Sequence, residues 1–408
     1  MMEVNMDLQF IKELITPAKT RIIMLIMDGL GGLPLQPGGR TELETARTPH
    51  LDSLAGLSAL GLSVPVGPGI TVESGPGHLA IFGYDPLEYR IGRGVLEAVG
   101  VGFDLGPNDV AVRGNYCTVD KDRLVTDRRA GRIKNEISIE LSQLLTTQIE
   151  DVAFLVKTVR EHRLAIVMRG SGLSADITDS DPLKNDYHPL PIRALNPQAE
   201  KTACLVNRFV ERSREVIEAF TPKPPANMLL LRGFDKYPNF PAFPQLFGLK
   251  SAAIAVHPTY RGIARLVGMQ VLPVEGSTVA DEFTTLERNW NDFDFFYLHI
   301  KDTDLAGEDG DFSRKAAVIE VVDSQVPRMM ALNPDVVIVS GDHSTPAALR
   351  GHSWHPVPTL VYGKYVRADN IAEFGESACA RGSLGVLPAK HIMPLALANG
   401  LRIMKWSS

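Results

Sequence analysis

The sequence is poor in cysteine, in long apolar runs and in excess positive charge, and each shortage excludes a class of protein. Its 408 residues contain three cysteines and no Cys-x-x-Cys pair, so we expect neither a disulfide framework nor a thiolate metal cluster. The longest apolar run near the start, residues 22–27, is far shorter than the roughly 20 residues that a membrane span needs. The 42 basic and 48 acidic residues give a net charge of −6, which disfavours nucleic acid or a membrane as the main partner.

The first twenty residues show no targeting pattern. They carry acidic as well as basic side chains, and they lack the basic segment and the small-residue cleavage site of a secretory signal. We therefore expect a cytoplasmic protein. The composition, 44% hydrophobic and 22% charged, is that of a globular chain long enough for two or three domains with sizeable cores.

Three apolar segments end abruptly at polar or acidic residues. They are Ile22 to Asp28, Phe295 to Asp302, and Val336 to Ser340 with Asp342 just beyond it. Continuous apolar runs of this kind are typical of strands buried on both faces, and helical patterns such as Ser313 to Leu332 accompany them. The pattern predicts an α/β fold. Because ligands collect at the carboxyl ends of parallel strands, we expect the residues that follow the three strands to converge.

The pattern changes between about residues 108 and 246. Asn135–Ile149 and Pro197–Phe220 are predicted helices on either side of a short apolar run, and a proline-rich stretch closes the region. We therefore predict a discontinuous main domain, residues 1–107 and 247–408, that carries an inserted domain, residues 108–246.

Several residues near the predicted strand ends offer the carboxylate and imidazole ligands that divalent ions such as zinc or manganese accept. A two-metal site needs about six such ligands around one centre. Taken singly, an aspartate before glycine is a common turn residue and a loop histidine is usually solvated, so the hypothesis depends on their joint occurrence. The candidates are Asp28, Asp304, Glu308, Asp342, His343 and His352.

Ser74 precedes a glycine-rich turn, Gly75-Pro76-Gly77-His78, which exposes its hydroxyl and leaves nearby amides free to face an anion. A serine hydroxyl is a weak nucleophile, but coordination to a metal would lower its pKa and make an alkoxide available. Without a metal nearby, the same segment is an ordinary turn and His78 is a structural or solvated residue. The segment therefore indicates a serine nucleophile only together with the candidate metal ligands.

A basic cluster lies in the predicted insertion. Residues 113–134 carry seven basic and three acidic side chains, a local excess of +4 within a chain of net charge −6. Arginine forks bind phosphate and carboxylate, although arginine runs are also common on solvated surfaces. The candidates for binding an anion are Arg128, Arg129 and Arg132, together with Arg169 after a strand-like run.

These segments resemble the motifs of a known family. Asp28 to Gly32, Glu73 to His78 with the following Phe82 to Pro86, Asp127 to Arg132, and Gly341 to Pro346 are similar to segments of the archaeal-type 2,3-bisphosphoglycerate-independent phosphoglycerate mutases, members of the alkaline phosphatase superfamily. The resemblance covers nearly the whole chain. It implies an alkaline-phosphatase-like α/β fold, with a doubly wound sheet and an inserted α+β cap domain.

The resemblance also implies two divalent metal ions and a Ser74 that is transiently phosphorylated. One metal would be held by Asp28, Ser74, Asp342 and His343, and the second by Asp304, Glu308 and His352. Glu308 stands where the superfamily pattern Asp-x-x-x-His has histidine, and a carboxylate there favours Mn²⁺ or Mg²⁺ over Zn²⁺. We expect Mn²⁺ first, with Mg²⁺, Co²⁺ and Zn²⁺ as alternatives. His355 is an alternative to His352 as a ligand.

The implied reaction is the interconversion of 3-phosphoglycerate and 2-phosphoglycerate in glycolysis and gluconeogenesis, without 2,3-bisphosphoglycerate. His78 and the four arginines of the insertion would bind the phosphoglycerate substrate, and Asp127 would shuttle a proton. The alternatives are a phosphatase or another phosphomutase of the same superfamily, and a non-catalytic protein that binds metal or phosphate. The sequence leaves the oligomeric state open.

Overall fold

The computed structural model describes residues 8–407. The strands are β1 (Ile22–Met27), β2 (Ser58–Val64), β3 (Val110–Val119), β4 (Val125–Asp127), β5 (Thr147–Ile149), β6 (Val152–Arg160), β7 (Arg163–Arg169), β8 (Met228–Lys236), β9 (Ser251–Ala255), β10 (Gln270–Val271), β11 (Phe295–Ile300), β12 (Val336–Ser340), β13 (Val357–Gly363) and β14 (Gly385–Pro388). The α-helices are α1 (Leu8–Leu14), α2 (Glu42–Thr45), α3 (Pro49–Ala55), α4 (Ser74–Ile81), α5 (Arg93–Gly100), α6 (Asn135–Leu145), α7 (Glu200–Ala219), α8 (Phe243–Phe247), α9 (Pro258–Leu266), α10 (Val279–Asn289), α11 (Asp302–Asp309), α12 (Phe312–Ala331), α13 (Glu376–Cys379) and α14 (Ile392–Asn399). None of the helices in residues 8–407 combines the length and the apolarity that crossing a membrane requires.

The chain divides into two compact units, and the first combines the segments up to Arg90 and from Phe240 onward. Within its described residues, eight strands form one sheet in the order β10-β9-β11-β1-β12-β13-β2-β14. β1 pairs in parallel with both β11 and β12, whereas β13 runs antiparallel to β12 and to β2. The predicted α/β class is confirmed, and the sheet is mixed.

β1 is buried along its whole length because strands flank it on both sides and both of its faces are covered. Ile23 and Leu25 belong to a core that also includes Phe283 of α10 and Ile319 of α12. Burial of both faces explains why this strand is continuously apolar instead of alternating. The apolar runs that predicted β11 and β12 have the same cause, since every residue of those strands is also buried.

The second unit is the continuous segment 91–239, which has a core of its own. Its antiparallel strands pair in the order β4-β3-β7-β6-β5, and β8 also pairs with β3. Phe154 of β6 stacks on Phe209 of α7 with 4.4 Å between ring centroids. The predicted helix 135–149 ends at Leu145, and its last residues form strand β5, where the β-branched Thr147 and Ile149 are favourable.

The boundaries of the second unit, at residues 91 and 239, lie earlier than the predicted boundaries at 108 and 246. α5 packs on the antiparallel sheet, where the Gly92 N–H donates to Asp235 Oδ2 at 2.7 Å. A Cβ on Gly94 would overlap the carbonyl oxygen of Ala111, so this glycine permits the close approach of helix and strand. These contacts place α5 in the second unit, and composition alone does not reveal them.

Candidate active site

The carboxyl ends of β1, β11 and β12 lie side by side in the sheet of the first unit. Their parallel register places Met27 beside Ile300, and Ile26 beside Ser340. The Asp28 N–H, the first beyond β1, donates to the Ile300 carbonyl at 2.9 Å. The structure therefore brings together the polar residues that follow three strands far apart in the sequence.

Asp28, Asp342 and His343 form the first candidate metal group, with one ligand atom of each within 4.8 Å of the others. All three residues are buried. His343 Nε2 lies 3.4 Å from Asp28 Oδ1 and 3.2 Å from Asp342 Oδ2. Among the described residues, neither of these two carboxylate oxygens accepts a well-aligned hydrogen bond, although Asp342 Oδ2 also lies 3.1 Å from His78 Nδ1. Because a buried anionic oxygen without a partner is costly, this group fits a divalent cation.

Asp304, His343 and His352 form a second candidate group, which shares His343 with the first. His352 Nδ1 donates to the Val72 carbonyl at 2.7 Å. Its Nε2 therefore carries the free lone pair, and this atom lies 3.6 Å from Asp304 Oδ1. The two groups together are called the metal centre below.

Two other predicted ligand candidates lie apart from these groups. Glu308 Oε1 is 3.8 Å from His352 Nε2, and 50% of the Glu308 side chain is exposed. Partial burial and the nearby Asp304 raise the pKa of Glu308. His355 Nδ1 instead contacts Ser353 Oγ at 3.0 Å. The geometry therefore favours His352 over His355 as a ligand and places Glu308 at the exposed rim of the second group.

Ser74 is the first residue of α4 and lies beside the first group. Its Oγ is 3.3 Å from His343 Nε2. The helix approaches the loop after β12 so closely that a Cβ on Gly77 would lie 2.5 Å from the Asp342 carbonyl oxygen. The glycine thus brings the start of α4, with its positive dipole end, to the metal centre.

His78, which was predicted to bind substrate, lies on the buried side of the metal centre. The side chain is fully buried, with Nδ1 at 3.1 Å from Asp342 Oδ2 and 2.8 Å from the Ser74 carbonyl oxygen. Burial opposes a positive charge, but Asp342 outweighs this effect and raises the pKa of His78. Because residue 78 follows Ser74 by one helical turn, both side chains lie on the same face of α4, where His78 contacts the Asp342 carboxylate.

His299 and Lys301 also belong to the metal centre, although the sequence analysis did not select them. His299 Nε2 lies 3.0 Å from Asp28 Oδ2, and burial lowers the pKa of His299 to about 4. Lys301 Nζ lies 2.5 Å from Asp304 Oδ2 and 3.3 Å from Asp28 Oδ2. Burial opposes its charge, but these two carboxylates raise the pKa of Lys301. Two features of the sequence could have indicated these residues: a histidine lies within the apolar strand β11, and a lysine directly follows that strand.

Tyr260 of α9 is a further residue that the sequence gave no reason to select. It is 2% exposed, and its hydroxyl donates to Ser74 Oγ at 3.1 Å. Burial, followed by the charges of Asp28 and Asp342, raises the pKa of Tyr260 well above its ordinary value. The phenol therefore keeps its proton.

Lys315 of α12 fixes the loops that carry the metal-centre aspartates. The residue is fully buried, and its Nζ donates to the carbonyls of Gly29, Gly31 and Thr345 at 2.8, 3.0 and 2.8 Å. Burial lowers the pKa of Lys315. One side chain thus ties the loop after β1 to the loop after β12.

The second unit contains a cavity of about 370 Å³ with a strongly basic lining, called the arginine pocket below. It includes the predicted Arg128, Arg129 and Arg132. Burial, together with the nearby Arg232 and Arg163, lowers the pKa of Arg113 to about 10 despite Glu97. The pocket thus has more positive charge than its own carboxylates neutralise, which suits an anionic ligand. Its lining residues are Arg113, Asn115, Arg128, Arg129, Arg132, Arg160, Glu161, His162, Arg163 and Arg232.

Two predicted residues of the insertion, Arg128 and Asp127, have structural partners. The Arg128 fork is already paired with Asp181, at 2.9 Å from Nε and 2.7 Å from Nη2. Asp127 accepts from the backbone N–H groups of Arg129 and Gly131, so it closes the turn that presents the arginines. Its predicted role as a proton shuttle is not tested by this geometry.

Arg169, which was also predicted to bind substrate, is not among the lining residues of the arginine pocket. Its Nη2 lies 2.7 Å from Asp109 Oδ2 and donates to the Asp104 carbonyl at 2.7 Å. The residue lies at the end of β7, where Asp109 directly precedes the neighbouring strand β3. An ion pair between strand ends therefore accounts for this arginine.

The chain is similar to proteins of one family over nearly its whole length. A family model described as 2,3-bisphosphoglycerate-independent phosphoglycerate mutase matches residues 55–221. Proteins named as probable mutases of this kind from Thermotoga petrophila and Thermus thermophilus are 47% and 48% identical to it. The two alignments cover 98% of this chain, and 99% and 98% of the respective relatives.

Two solved structures share the fold. A Pyrococcus horikoshii protein superposes with a TM-score of 0.80 and 31% identity, covering 96% of this chain and 100% of the other. The cofactor-independent phosphoglycerate mutase from Thermoplasma acidophilum gives a TM-score of 0.75 and 31% identity, covering 93% and 100%. The resemblance inferred from the motifs is confirmed: the chain belongs to the 2,3-bisphosphoglycerate-independent phosphoglycerate mutase family.

Proposed function

We propose that the protein interconverts 3-phosphoglycerate and 2-phosphoglycerate through a phosphoserine on Ser74 at a two-metal centre, without 2,3-bisphosphoglycerate. This activity would place it in glycolysis and gluconeogenesis. The relatives named above carry the corresponding name. The observation that carries the proposal is the position of Ser74 Oγ beside two overlapping groups of carboxylate and imidazole ligands.

The donor set fits two divalent ions. Lys301 pairs with two of the three buried aspartates, and three carboxylates against one ammonium leave an excess of two negative charges that bound cations would neutralise. Bound ions of this kind lower the pKa of a coordinated hydroxyl and stabilise charge on a transferring phosphoryl group. The carboxylate of Glu308 favours Mn²⁺ or Mg²⁺ over Zn²⁺. The proposed ligands are Asp28, Ser74, Asp342 and His343 for one ion, and Asp304, Glu308 and His352 for the other.

Ser74 Oγ would bond to phosphorus while the bond from phosphorus to the C3 oxygen of glycerate breaks. The proton of the Ser74 hydroxyl ends on the departing oxygen. In the second transfer the C2 oxygen bonds to phosphorus, the phosphoserine bond breaks, and the proton of the C2 hydroxyl restores Ser74. Lys301 and the N-terminus of α4 contribute positive charge to this region, which favours the phosphoryl oxygens.

The arginine pocket would bind the anionic substrate. Arginine forks match the geometry of a carboxylate or a phosphate, and their charge would retain glycerate between the two transfers. Arg129 and Arg132 are the best placed of the predicted residues, because the fork of Arg128 is held by Asp181. Retention of glycerate distinguishes a mutase from a phosphatase.

The proposal is tested by ³¹P NMR of metal-reconstituted protein with 3-phosphoglycerate and no 2,3-bisphosphoglycerate. A mutase gives a mixture of the two phosphoglycerates and little inorganic phosphate. Stoichiometric phosphate without 2-phosphoglycerate would replace the proposal with a phosphatase. Metal binding without any turnover would instead indicate a non-catalytic binding protein.

A further inference from the structure

Tyr260 contacts the atom that the proposed mechanism makes the nucleophile. Its hydroxyl donates to Ser74 Oγ at 3.1 Å and accepts from Lys301 Nζ at 2.8 Å. A charged lysine has three donor hydrogens and no acceptor, so the Lys301 contact must be accepted by the phenol oxygen. The phenol can therefore donate its proton to Ser74 Oγ while it accepts from Lys301, and the Asp28 carboxylate is a second acceptor beside it.

The ring of Tyr260 is held in place by its neighbours. It stacks on the His299 ring with centroids 3.7 Å apart and planes inclined by 22°. The His78 ring lies 4.9 Å away on the same buried cluster. His299 is itself bound to Asp28. The hydroxyl therefore reaches Ser74 from a rigid support, which is what an effective catalytic donor needs.

We propose that Tyr260 is a catalytic residue that stabilises the Ser74 oxygen whenever that oxygen carries negative charge. This inference rests on the proposed function. When the phosphoserine is cleaved, the electron pair of the breaking bond stays on the Ser74 oxygen while the phosphoryl group bonds to a glycerate oxygen. The Tyr260 hydroxyl donates to the Ser74 oxygen at that moment and keeps its own proton. The proton that restores the Ser74 hydroxyl comes from the glycerate.

The hydrogen bond should matter more for cleavage of the phosphoserine than for its formation. A donor stabilises the alkoxide as a leaving group, but it also makes the same alkoxide a weaker nucleophile in the first transfer. Loss of the donor should therefore slow the second transfer most. The phosphorylated form of the enzyme should then accumulate during turnover.

The experiment compares Tyr260→Phe with Tyr297→Phe. Both changes remove a buried hydroxyl and keep the ring, but the Tyr297 hydroxyl has no hydrogen-bond partner among the described residues. For Tyr260→Phe we expect kcat to fall about 10- to 100-fold, the scale of a lost hydrogen bond to a charged oxygen. We expect KM to change less than about twofold, because the substrate-binding groups are untouched.

Two further measurements separate catalysis from structure. The phosphoserine fraction after rapid quenching, read by intact mass, should rise in Tyr260→Phe and stay at the wild-type level in Tyr297→Phe. The dissociation constant for Mn²⁺, measured calorimetrically without substrate, should stay close to the wild-type value in both variants.

The outcomes are distinguishable. Wild-type kcat in Tyr260→Phe, equal losses in the two variants, or a loss that follows weaker Mn²⁺ binding would each overturn the role of Tyr260. In all three cases the wild-type protein still isomerises phosphoglycerate, and the proposed function stands. A wild-type protein that does not isomerise would overturn both.

Discussion

The metal centre of the first unit and the arginine pocket of the second differ in charge, burial and origin. The metal centre contains buried carboxylates with oxygens that accept no well-aligned hydrogen bond and suit a cation, and parallel strand ends assemble it. The arginine pocket is an open cavity in which guanidinium groups need an anion. Under the proposed function, the difference assigns two tasks, transferring a phosphoryl group and retaining its acceptor, to separate structural units.

The largest expected effect follows from removing the nucleophile alone. Ser74→Ala should lower kcat by about 10,000-fold or more, because no other described hydroxyl replaces it in the proposed transfer. The arginine pocket is unchanged, so the calorimetric dissociation constant for 3-phosphoglycerate should stay within about threefold of the wild-type value. A variant that loses binding and catalysis together would break the separation of tasks.

A change in the arginine pocket should instead weaken substrate binding. Arg132→Ala should raise KM about 10- to 100-fold, the cost of a charge-assisted contact, and should raise the share of phosphoserine lost to water. The measurement is the ratio of inorganic phosphate to 2-phosphoglycerate in ³¹P NMR spectra. Arg169→Ala is the matched control and should leave that ratio unchanged, because Arg169 pairs with Asp109 outside the pocket. A higher ratio in the control would support the predicted role of Arg169 in substrate binding.

Loosening the loops of the metal centre should have a moderate effect. Lys315→Met leaves three buried carbonyls without a donor and removes a buried charge, for a net loss of about 2 kcal/mol in the free energy of unfolding. Urea unfolding in the presence of a chelator measures this loss in the free energy of unfolding. Lys390→Met, which removes a partly exposed lysine paired with Asp85, should cost about 0.5 kcal/mol or less. An equal loss of unfolding free energy in the two variants would show that Lys315 does not stabilise the loops of the metal centre.

The smallest effect is expected at the rim of the metal centre. Glu308→Gln should weaken binding of the second Mn²⁺ by about threefold to tenfold, because it removes one charge from a half-exposed position. Glu308→His should shift the preference toward Zn²⁺. Calorimetric titration with Mn²⁺ and with Zn²⁺ gives the dissociation constants of the two variants and of the wild-type protein for comparison. A loss as large as that of Asp304→Asn would mean that exposure does not weaken Glu308 as a ligand, and no loss would remove Glu308 from the proposed ligand set.

The strand ends were predictable from the sequence because burial on both faces leaves a continuous apolar run. That pattern located β1, β11 and β12, and the structure places Asp28, Asp304 and His343 at their ends. The structural partners of His78 and Arg169 were not predictable in the same way. Each depends on a partner, Asp342 or Asp109, and only the fold determines which polar groups meet.

Tyr260 and the start of the second unit were also not predictable from the sequence, because both depend on contacts between distant residues. Tyr260 lies in an amphipathic helix and would be a core residue by every local criterion. Its hydroxyl becomes important because the fold brings Ser74, 186 residues away, within hydrogen-bonding distance. Likewise, α5 belongs to the second unit through the glycine contacts with β3 and β8, which no composition change marks.

The parallel pairing of β1 also has a consequence for how the protein folds. The contacts of Asp28 with His299 and of Gly29 with Asp342 join residues 271 and 313 positions apart. Closing such loops adds little to the equilibrium cost, since doubling a loop adds only about 0.6 kcal/mol, but contacts this distant slow folding. The second unit, by contrast, is one continuous segment with its own core. The capacity to bind metal should therefore appear only with the slowest phase of refolding, after the arginine pocket has formed.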